Sequence, residues 1–395
     1  MQTDYSVVGH WQGGFEELAL QKWAEGLRRR LPAARVSLGL VFMTPRFFPH
    51  AAQVLEILQV HAQIPLLTGC SSTGLITGAE ELEEDGGLVV GLYVLPEGDL
   101  EAHRFTQHQI EESNGPGYWH VETGLNADQT NGWLVFADPF HIDSDSWLKN
   151  WNEAYAPLPI LGGLASGDMS EQRTQVYLDG EVFEDGGIAI SFGGGVKLAS
   201  VISQGCTPIG ETWTITKVDR NLIQQIGNRP AYEILVDTFN HLSSEDQQKT
   251  RGNLFVGLVI NEYLDEFHRG DFLIRNLVGA DPKTGCIAVG ALPRAGQTIQ
   301  FQRRDAITAS EDMAALLANA QQRLGKTPIY GGCLCCCTGR GRRMFGQSHH
   351  DASMVQDRLG PIGLAGFFCN GEIGPVGDRN FLHGYTASLA LFLKK

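Results

Sequence analysis

The sequence predicts an α/β protein of two domains, with mixed sheets flanked by helices and an internal duplication in the N-terminal domain. Three observations support this prediction. The chain has 395 residues, which is longer than a single hydrophobic core usually serves. Short apolar runs alternate with amphipathic helical segments, as in α/β proteins. One strand-helix-strand pattern also occurs more than once, which predicts pseudo-symmetry within the chain.

The duplication is visible as matched segments 94 residues apart (41 to 135, 65 to 159 and 72 to 166). Val41-Phe42-Met43-Thr44-Pro45 matches Val135-Phe136-Ala137-Asp138-Pro139, and Pro65-Leu66-Leu67-Thr68-Gly69 matches Pro159-Ile160-Leu161-Gly162-Gly163. Ser72 then matches Ser166 without a gap. A third occurrence lies in 329–371, where a strand, a helix and a proline-led strand are again followed by glycine. We interpret the recurring glycine as a required turn.

The domain boundaries follow from the order of these elements. Residues 1–30 contain an amphipathic helix with Leu20, Trp23, Ala24 and Leu27 on one face. Residues 31–225 form the duplicated domain and residues 226–395 the second domain. Within the second domain the pattern predicts an exposed loop at 241–250, a series of short antiparallel strands, and a helix with a capping box of Thr308 and Glu311.

Composition and charge exclude several functions. The formal net charge of −15 and the pI near 5.2 would repel nucleic acids and anionic lipid surfaces. No apolar run reaches the roughly 18 residues that a membrane span needs, and the polar N-terminus lacks the pattern of a signal peptide. We therefore expect a cytoplasmic protein with no nucleic-acid partner and no membrane insertion.

Two polar turns near the C-terminus are the most site-like feature. One apolar strand is followed by Thr338-Gly339-Arg340-Gly341, and the next by Asn370-Gly371-Glu372. A guanidinium is well suited to a ligand carboxylate, and a carboxylate to an ammonium group, so Arg340 and Glu372 could together hold an amino acid in an open hollow. Alternatively, the two side chains pair with each other and lock the adjacent turns.

The same part of the chain resembles a known family. The segments Cys337-Thr338-Gly339-Arg340-Gly341, Pro361-Ile362-Gly363-Leu364-Ala365-Gly366-Phe367-Phe368-Cys369-Asn370-Gly371-Glu372-Ile373-Gly374-Pro375 and Leu382-His383-Gly384-Tyr385-Thr386 are similar to the C-terminal module of FIST proteins. Phe272-Leu273-Ile274-Arg275-Asn276 and Asp281-Pro282-Lys283-Thr284-Gly285 match the same module. Gly69-Cys70-Ser71-Ser72-Thr73-Gly74 is similar to the N-terminal FIST module. The resemblance covers roughly residues 30 to 390.

The resemblance implies a sensory protein of signal transduction that binds a small ligand, with amino acids as proposed ligands and no catalytic residue set. Because the chain carries no recognisable output module, a separate signalling protein would receive the signal. Together with the two polar turns and the 69–74 loop, this gives a predicted ligand-binding set and no predicted metal or cofactor. The set comprises Ser71, Thr73, Cys337, Gly339, Arg340, Gly341, Asn370, Gly371 and Glu372.

Several alternatives remain open at this stage. Cys333, Cys335, Cys336, Cys337 and Cys369 could bind zinc or an iron-sulfur cluster, although core packing of buried thiols is favoured. Cys337 could act in redox sensing if a cationic neighbour lowers the pKa of its thiol. Some FIST-like proteins are thought to bind haem and report nitric oxide, and the candidate haem ligands here are His141, His349, His350 and His383.

An enzyme and a structural scaffold are the remaining alternatives. The common nucleophile-elbow, phosphate-loop and metalloprotease motifs are absent from the sequence. The 69–74 loop carries hydroxyls and a thiol at a strand end, so an uncharacterised activity could use this loop or Cys337. A scaffold role would be favoured if side chains filled the predicted site.

Overall fold

The computed structural model describes residues 3–84, 86–168, 170–268 and 270–395. It confirms the α/β class with mixed sheets flanked by helices. The chain forms two compact units. Unit 1 comprises residues 1–203 and 314–395, and unit 2 comprises residues 204–313. The division between them falls within a single long helix, residues 306–324.

Unit 1 contains three copies of one arrangement of strands and helices. The first copy contains β1 (Ser6–Trp11), α1 (Glu17–Arg29), β2 (Leu38–Met43), α2 (Ala51–His61), β3 (Leu67–Ser71), β4 (Leu75–Thr77), β5 (Glu80–Leu82) and β6 (Leu88–Tyr93). The second contains β7 (Gly98–Phe105), α3 (Gln107–Glu112), α4 (Pro116–Thr123), β8 (Trp133–Ala137), α5 (Ser144–Tyr155), β9 (Ile160–Leu164), β10 (Val176–Leu178), β11 (Glu181–Phe183) and β12 (Gly187–Gly194).

The third copy begins with β13 (Val196–Ser203), after which the chain enters unit 2. Unit 2 contains β14 (Cys206–Asp219), β15 (Leu222–Ile226), β16 (Arg229–Pro230), α6 (Ala231–Asn240), α7 (Ser244–Thr250), β17 (Leu254–Val259), β18 (Phe272–Asp281), β19 (Cys286–Val289) and β20 (Thr298–Arg304). The third copy then resumes with α8 (Ala306–Leu324), β21 (Ile329–Cys337), α9 (Gly341–Phe345), α10 (His350–Leu359), β22 (Leu364–Cys369), β23 (Glu372–Val376), β24 (Arg379–His383) and β25 (Ala387–Lys394).

The three copies exchange hairpins in a closed cycle. Each described sheet of unit 1 has six strands, and their orders are β1-β6-β2-β3-β10-β11, β7-β12-β8-β9-β23-β24 and β13-β25-β21-β22-β4-β5. In each sheet the two middle strands are parallel and come from one copy. The hairpin at one end of the sheet (β10-β11, β23-β24 or β4-β5) comes from another copy. The third echo noted in the sequence is therefore a full structural repeat.

Strand register corrects the gapless sequence match by one residue. Val41 lies opposite Gly69, whereas Val135 lies opposite Gly162 and not Gly163. The backbone bonds agree, because the amide of Ser72 donates to Met43 O and the amide of Ala165 donates to Ala137 O. The second copy is therefore one residue shorter before its glycine. Ser166 is equivalent to Thr73 rather than to Ser72.

The recurring glycine lies within a strand and is not a turn residue. A Cβ atom on Gly69 would stand 1.8 Å from Val41 O, one on Gly162 would stand 1.9 Å from Val135 O, and one on Gly366 would stand 2.0 Å from Leu334 O. A side chain at this position would push apart the parallel pair of each copy. The predicted turn role was wrong, because the glycine permits close approach of two backbones.

The centre of unit 1 is an aromatic contact between the copies. Phe42 of the first copy lies with its ring centroid 5.4 Å from that of Phe136 of the second and 4.7 Å from that of Phe367 of the third. All three side chains are fully buried. Outer clusters bury α1 and α2 on the first sheet and α4 and α5 on the second. Each copy thus contributes an inner strand face to a shared core.

Unit 2 forms its own core under one seven-stranded antiparallel sheet among its described residues, of order β14-β20-β17-β18-β19-β15-β16. Two sequence predictions were wrong here. The predicted loop at 241–250 contains α7, which begins after Ser243, whose Oγ accepts a hydrogen bond from the Asp246 amide. The helix predicted to begin at Thr308 instead begins at Ala306, and Asp305 accepts from the Thr308 amide.

None of the helices in the described ranges combines the length and the apolar character needed to cross a lipid bilayer.

Candidate ligand-binding site

The loops that follow β3, β9 and β22 meet at one junction in unit 1. Ser166 Oγ donates a hydrogen bond to Phe368 O at 2.5 Å and accepts one from the Thr73 amide at 2.9 Å. Ser71 Oγ donates to Ser166 O at 2.9 Å. Each copy therefore contributes a loop, and ligand sites commonly lie beyond the carboxyl ends of parallel strands. Ser71 is buried, whereas Thr73 is exposed.

Arg340 lies in the turn after β21 and is fully buried. Its backbone amide donates to Cys337 O at 2.8 Å, which forms the tight turn. Its guanidinium forms a bidentate pair with Asp351 at the start of α10, with Nε–Oδ2 at 2.6 Å and Nη2–Oδ1 at 2.8 Å. The ring of Phe345 lies 5.3 Å from the guanidinium carbon. Two donors of the arginine fork are thus directed at Asp351.

Glu372 begins β23 and is also fully buried. Its Oε1 accepts from the Cys369 thiol at 3.1 Å, and its Oε2 accepts from the Thr386 amide at 2.9 Å. Because β23 pairs with β9, the Glu372 backbone lies opposite Gly163 of the second copy. The carboxylate therefore lies where the second and third copies meet.

Arg340 and Glu372 hold opposite ends of one peptide group. Arg340 Nη1 donates to Tyr385 O at 3.4 Å, and Glu372 Oε2 accepts from the Thr386 amide. This oxygen and this nitrogen belong to the same planar Tyr385–Thr386 unit, in which they point in opposite directions. The sequence analysis expected an open hollow between the two side chains, but a segment of the protein lies there.

The other predicted residues surround this peptide group or the loop junction. Cys337 and Asn370 are half-buried, and the Asn370 amide donates to Leu164 O. Gly371 O accepts from the Leu164 amide. A Cβ atom on Gly339 would lie 2.9 Å from the Tyr385 ring. Gly341 has a φ of +61°, and a Cβ atom there would lie 2.7 Å from the Glu83 carboxylate.

Sequence reasoning left Asp351, Glu81 and Tyr385 out of this site and considered His350 only as a candidate haem ligand. Asp351 and His350 begin α10, and the Phe345 ring stacks on the His350 ring at 3.5 Å between centroids. Glu81 comes from the hairpin of the first copy, and Tyr385 from the loop before β25. The signal for Asp351 was available, because a buried arginine requires an acidic partner. Glu81 could not be found without knowing that the hairpins are exchanged.

Two buried carboxyl groups of this network, Asp351 and Glu81, have pKa values shifted in opposite directions. Burial alone would raise the pKa of Asp351, but the Arg340 guanidinium outweighs it and holds that pKa well below its usual range. Burial raises the pKa of Glu81 to about 7, and the neighbouring Asp351 charge adds to this effect. Asp351 is therefore ionised at neutral pH while Glu81 is close to its titration midpoint.

Six of the eight cysteines are buried. Burial raises the pKa values of Cys70, Cys335, Cys336 and Cys369. Among the residues that the structure describes, no group of three or more His, Cys, Asp or Glu side chains is placed to hold a metal ion. Cys337, at the end of β21, is only half-buried, and its Sγ accepts from the Gly339 amide at 3.4 Å.

Thiol labelling of the native protein can check this arrangement. We expect only Cys286 and Cys337 to react rapidly with a disulfide reagent, because the other six cysteines are buried and a buried neutral thiol is a poor nucleophile. All eight cysteines should react in denaturant. A Cys337→Ser variant should have only one rapidly reacting thiol instead of two. Fast labelling of four or more thiols in the native state would contradict the buried packing.

The candidate haem ligands each contact protein atoms. His383 is buried and its Nε2 bonds to Gly374 O at 3.0 Å. His349 Nδ1 accepts from the Glu81 amide at 2.8 Å. The Nδ1 atom of His350 lies 3.0 Å from Asp351, and that of His141 lies 2.9 Å from Asp138. Each histidine thus helps to position a neighbouring segment.

The fold and site together define a three-copy α/β protein with a separate antiparallel unit inserted in its third copy. Comparison with family models matches the FIST N domain to residues 37–229 and the FIST C domain to residues 231–375. The chain belongs to the FIST family. FIST domains are associated with signal transduction and small-ligand sensing.

The relatives are themselves uncharacterised. The uncharacterized protein MT0656 of Mycobacterium tuberculosis is 37% identical over 371 residues, covering 93% of each chain. The uncharacterized protein Mb0898c of Mycobacterium bovis is 36% identical over 364 residues, covering 92% of this chain and 91% of its own. A solved structure titled as a cyanuric acid hydrolase covers 99% of this chain and 100% of its own at 9% identity, with a TM-score of 0.31. A TM-score that low does not establish a common fold.

Proposed function

We propose that this chain is a cytoplasmic, non-catalytic receptor for a small polar ligand, an amino acid or a similar molecule. It passes a conformational change to a separate signalling protein. The site lies around the Tyr385–Thr386 peptide group and the adjoining loop junction. Its proposed ligand-binding residues are Arg340, Glu372, Cys337, Gly339, Gly341, Asn370, Gly371, Ser71 and Thr73.

The proposal rests on the observation that Arg340 and Glu372 bind the two ends of one peptide group. That group offers an acceptor oxygen to the arginine and a donor nitrogen to the glutamate. An amino acid offers the same two functions with full charges, and charge-assisted hydrogen bonds are roughly twice as strong as neutral ones. The ligand would take the place of the peptide group between the two side chains.

The segment around Tyr385 has features of a displaceable cover. Tyr385 has a φ of +62°, a left-handed conformation that costs a non-glycine residue on the order of 1 kcal/mol. The residue is 37% exposed although its side chain is large and mostly apolar. A Cβ atom on the preceding Gly384 would meet no atom within 4 Å. Tyr385 and Gly384 are therefore lightly packed, whereas Thr386 is buried and its carbonyl oxygen accepts from the Cys337 amide.

Displacement of the cover would reach the core of unit 1. Thr386 is followed directly by β25, which pairs with β13 on one side and β21 on the other. A ligand can shift an equilibrium only by its difference in affinity for the two states. Here the covered state lacks a free site, so a ligand that binds between Arg340 and Glu372 necessarily favours the displaced state.

Calorimetric titration with a panel of amino acids tests the proposal. We expect at least one to bind, and Glu372→Gln to weaken it about 10- to 100-fold because loss of a charge-assisted hydrogen bond costs roughly 1.5–3 kcal/mol. The N-acetylated form of that amino acid has no ammonium group and should bind the wild type and Glu372→Gln equally weakly.

The arginine needs a variant that does not leave an unpaired buried charge. Arg340→Ala combined with Asp351→Ala removes both members of the ion pair and should preserve the fold while abolishing carboxylate recognition. Arg104→Ala, which removes an arginine paired with exposed Asp185, serves as the control and should bind normally. Undiminished binding by the folded double variant would refute the role of Arg340.

A further inference from the structure

Glu81 connects the first copy of unit 1 to the third. It lies on β5, and its side chain is buried against the start of α10, with the residue only 3% exposed. Its Oε1 accepts from the Ala352 amide at 2.9 Å, and its own amide donates to His349 Nδ1 at 2.8 Å. Ser353 Oγ donates to Ala79 O in the same hairpin. Glu81 therefore helps to fasten the exchanged hairpin to α10, together with Ser353 and with Gln356, whose Nε2 donates to Gly78 O.

The second carboxyl oxygen of Glu81 is buried without a hydrogen-bond partner. In the same network, Arg340 directs two donors of its guanidinium group at Asp351. Two carboxyl groups thus lie close together with one guanidinium that is already paired. An isolated ionised carboxylate in such a place is costly, and a bound proton removes that cost.

The other titratable groups around Glu81 are directed at atoms other than its second carboxyl oxygen, or are themselves negative. His349 Nδ1 accepts a backbone hydrogen bond and so carries no proton on that nitrogen. His350 Nδ1 is directed at Asp351, and so is the Cys336 thiol at 3.7 Å. Glu83 of the same hairpin is a further negative charge that acts on Glu81. Solvent protons are the remaining source of compensation.

We propose that Glu81 is a proton-binding site that fastens the exchanged hairpin to α10. In the bound state a solvent proton forms an O–H bond on Oε2 and removes the negative charge of the buried carboxylate. Without the proton, Glu81 and Asp351 repel each other and the contact weakens. The elevated pKa of about 7 supports this assignment. The inference does not depend on the identity or the existence of the ligand proposed above.

The sign of the pH effect follows from linkage. Glu81 titrates near 7 in the closed contact and near 4.5 when exposed. Between these values the closed state holds more protons, so closure is favoured at the acidic end and lost as the pH rises toward 7. Asp351 has a depressed pKa and changes its contribution only in more acidic solution. The contribution of Glu81 therefore changes within the window from about pH 5 to 7, and the Glu81→Gln variant isolates it.

Hydrogen exchange at the Ala352 amide of the full chain tests the proposal locally. After correction for the intrinsic rate, its protection should fall by up to about tenfold for each pH unit between 5 and 7. Glu81→Gln should remove this slope, because an amide of the same shape keeps the acceptor and cannot titrate. Glu84→Gln alters an exposed carboxylate three residues along the chain and should keep the wild-type slope.

A direct titration covers the case in which Glu81→Gln does not fold. With carboxyl-¹³C glutamate in the wild-type chain, one resonance should titrate near pH 7. The proposal is overturned if every glutamate titrates below about pH 5.5, or if Glu81→Gln retains the pH dependence at Ala352. The loss of that resonance in folded Glu81→Gln would assign it to this residue.

Discussion

Replacing Arg340 by alanine is expected to destabilise unit 1 by about 3–5 kcal/mol, because it leaves the buried Asp351 carboxylate without its partner. The guanidinium is fully buried and holds both oxygens of Asp351. Denaturant unfolding monitored by circular dichroism at pH 7 would measure the loss. The loss of stability that the substitution causes should also be smaller at acidic pH. There Asp351 becomes protonated in the unfolded chain, so the ion pair contributes less to the stability of the wild type.

The double variant separates the ion pair from the packing of the arginine. Combining Arg340→Ala with Asp351→Ala should recover a large part of the lost stability, since no unpaired charge remains. Arg173→Ala provides the matched surface control, because its pair with Glu184 is exposed and should contribute less than about 1 kcal/mol. An Arg340→Ala loss no larger than that of Arg173→Ala would contradict the structural role assigned here.

The repeated unit could be predicted because its signals are local. Val41 and Val135 lie within strands whose apolar runs are buried on both faces, and such runs are recognisable in the sequence. The hairpin exchange could not be predicted, since the short strands β4, β10 and β23 pair with residues far away in the chain. Sequence pattern predicts that a strand forms and rarely which strand it meets.

The candidate site shows the same division. The turns that carry Arg340 and Glu372 were predicted from glycines and polar residues after apolar runs, and both contact the Tyr385–Thr386 peptide group. The bidentate partner, Asp351, was not assigned to the site. Glu81 reaches the site from the first copy. A network formed by three distant segments depends on the three-dimensional arrangement of the copies, which single-sequence patterns do not contain.

The glycine in the second strand of each parallel pair, Gly69 on β3 and Gly162 on β9, provides the strongest test of how the copies are arranged. Gly69→Ala and Gly162→Ala should each destabilise unit 1 by about 3–5 kcal/mol, because the new methyl group collides with a carbonyl oxygen and the backbone conformation is strained. The φ angles are +153° and +137°, and the distances to the opposite carbonyl oxygens are 1.8 and 1.9 Å. Denaturant unfolding measures both losses.

Gly163 supplies a matched control one residue along the same strand. A Cβ atom there would lie 3.1 Å from both Cys369 Cβ and Gly371 O, distances that a small shift of the neighbours relieves. The gapless sequence match makes Gly163 the equivalent of Gly69, whereas the strand register makes it Gly162. Gly162→Ala should therefore be clearly less stable than Gly163→Ala. The reverse order would show that the parallel pairs of the first two copies do not share the register described, and the structural equivalence of Ser166 with Thr73 would be lost with it.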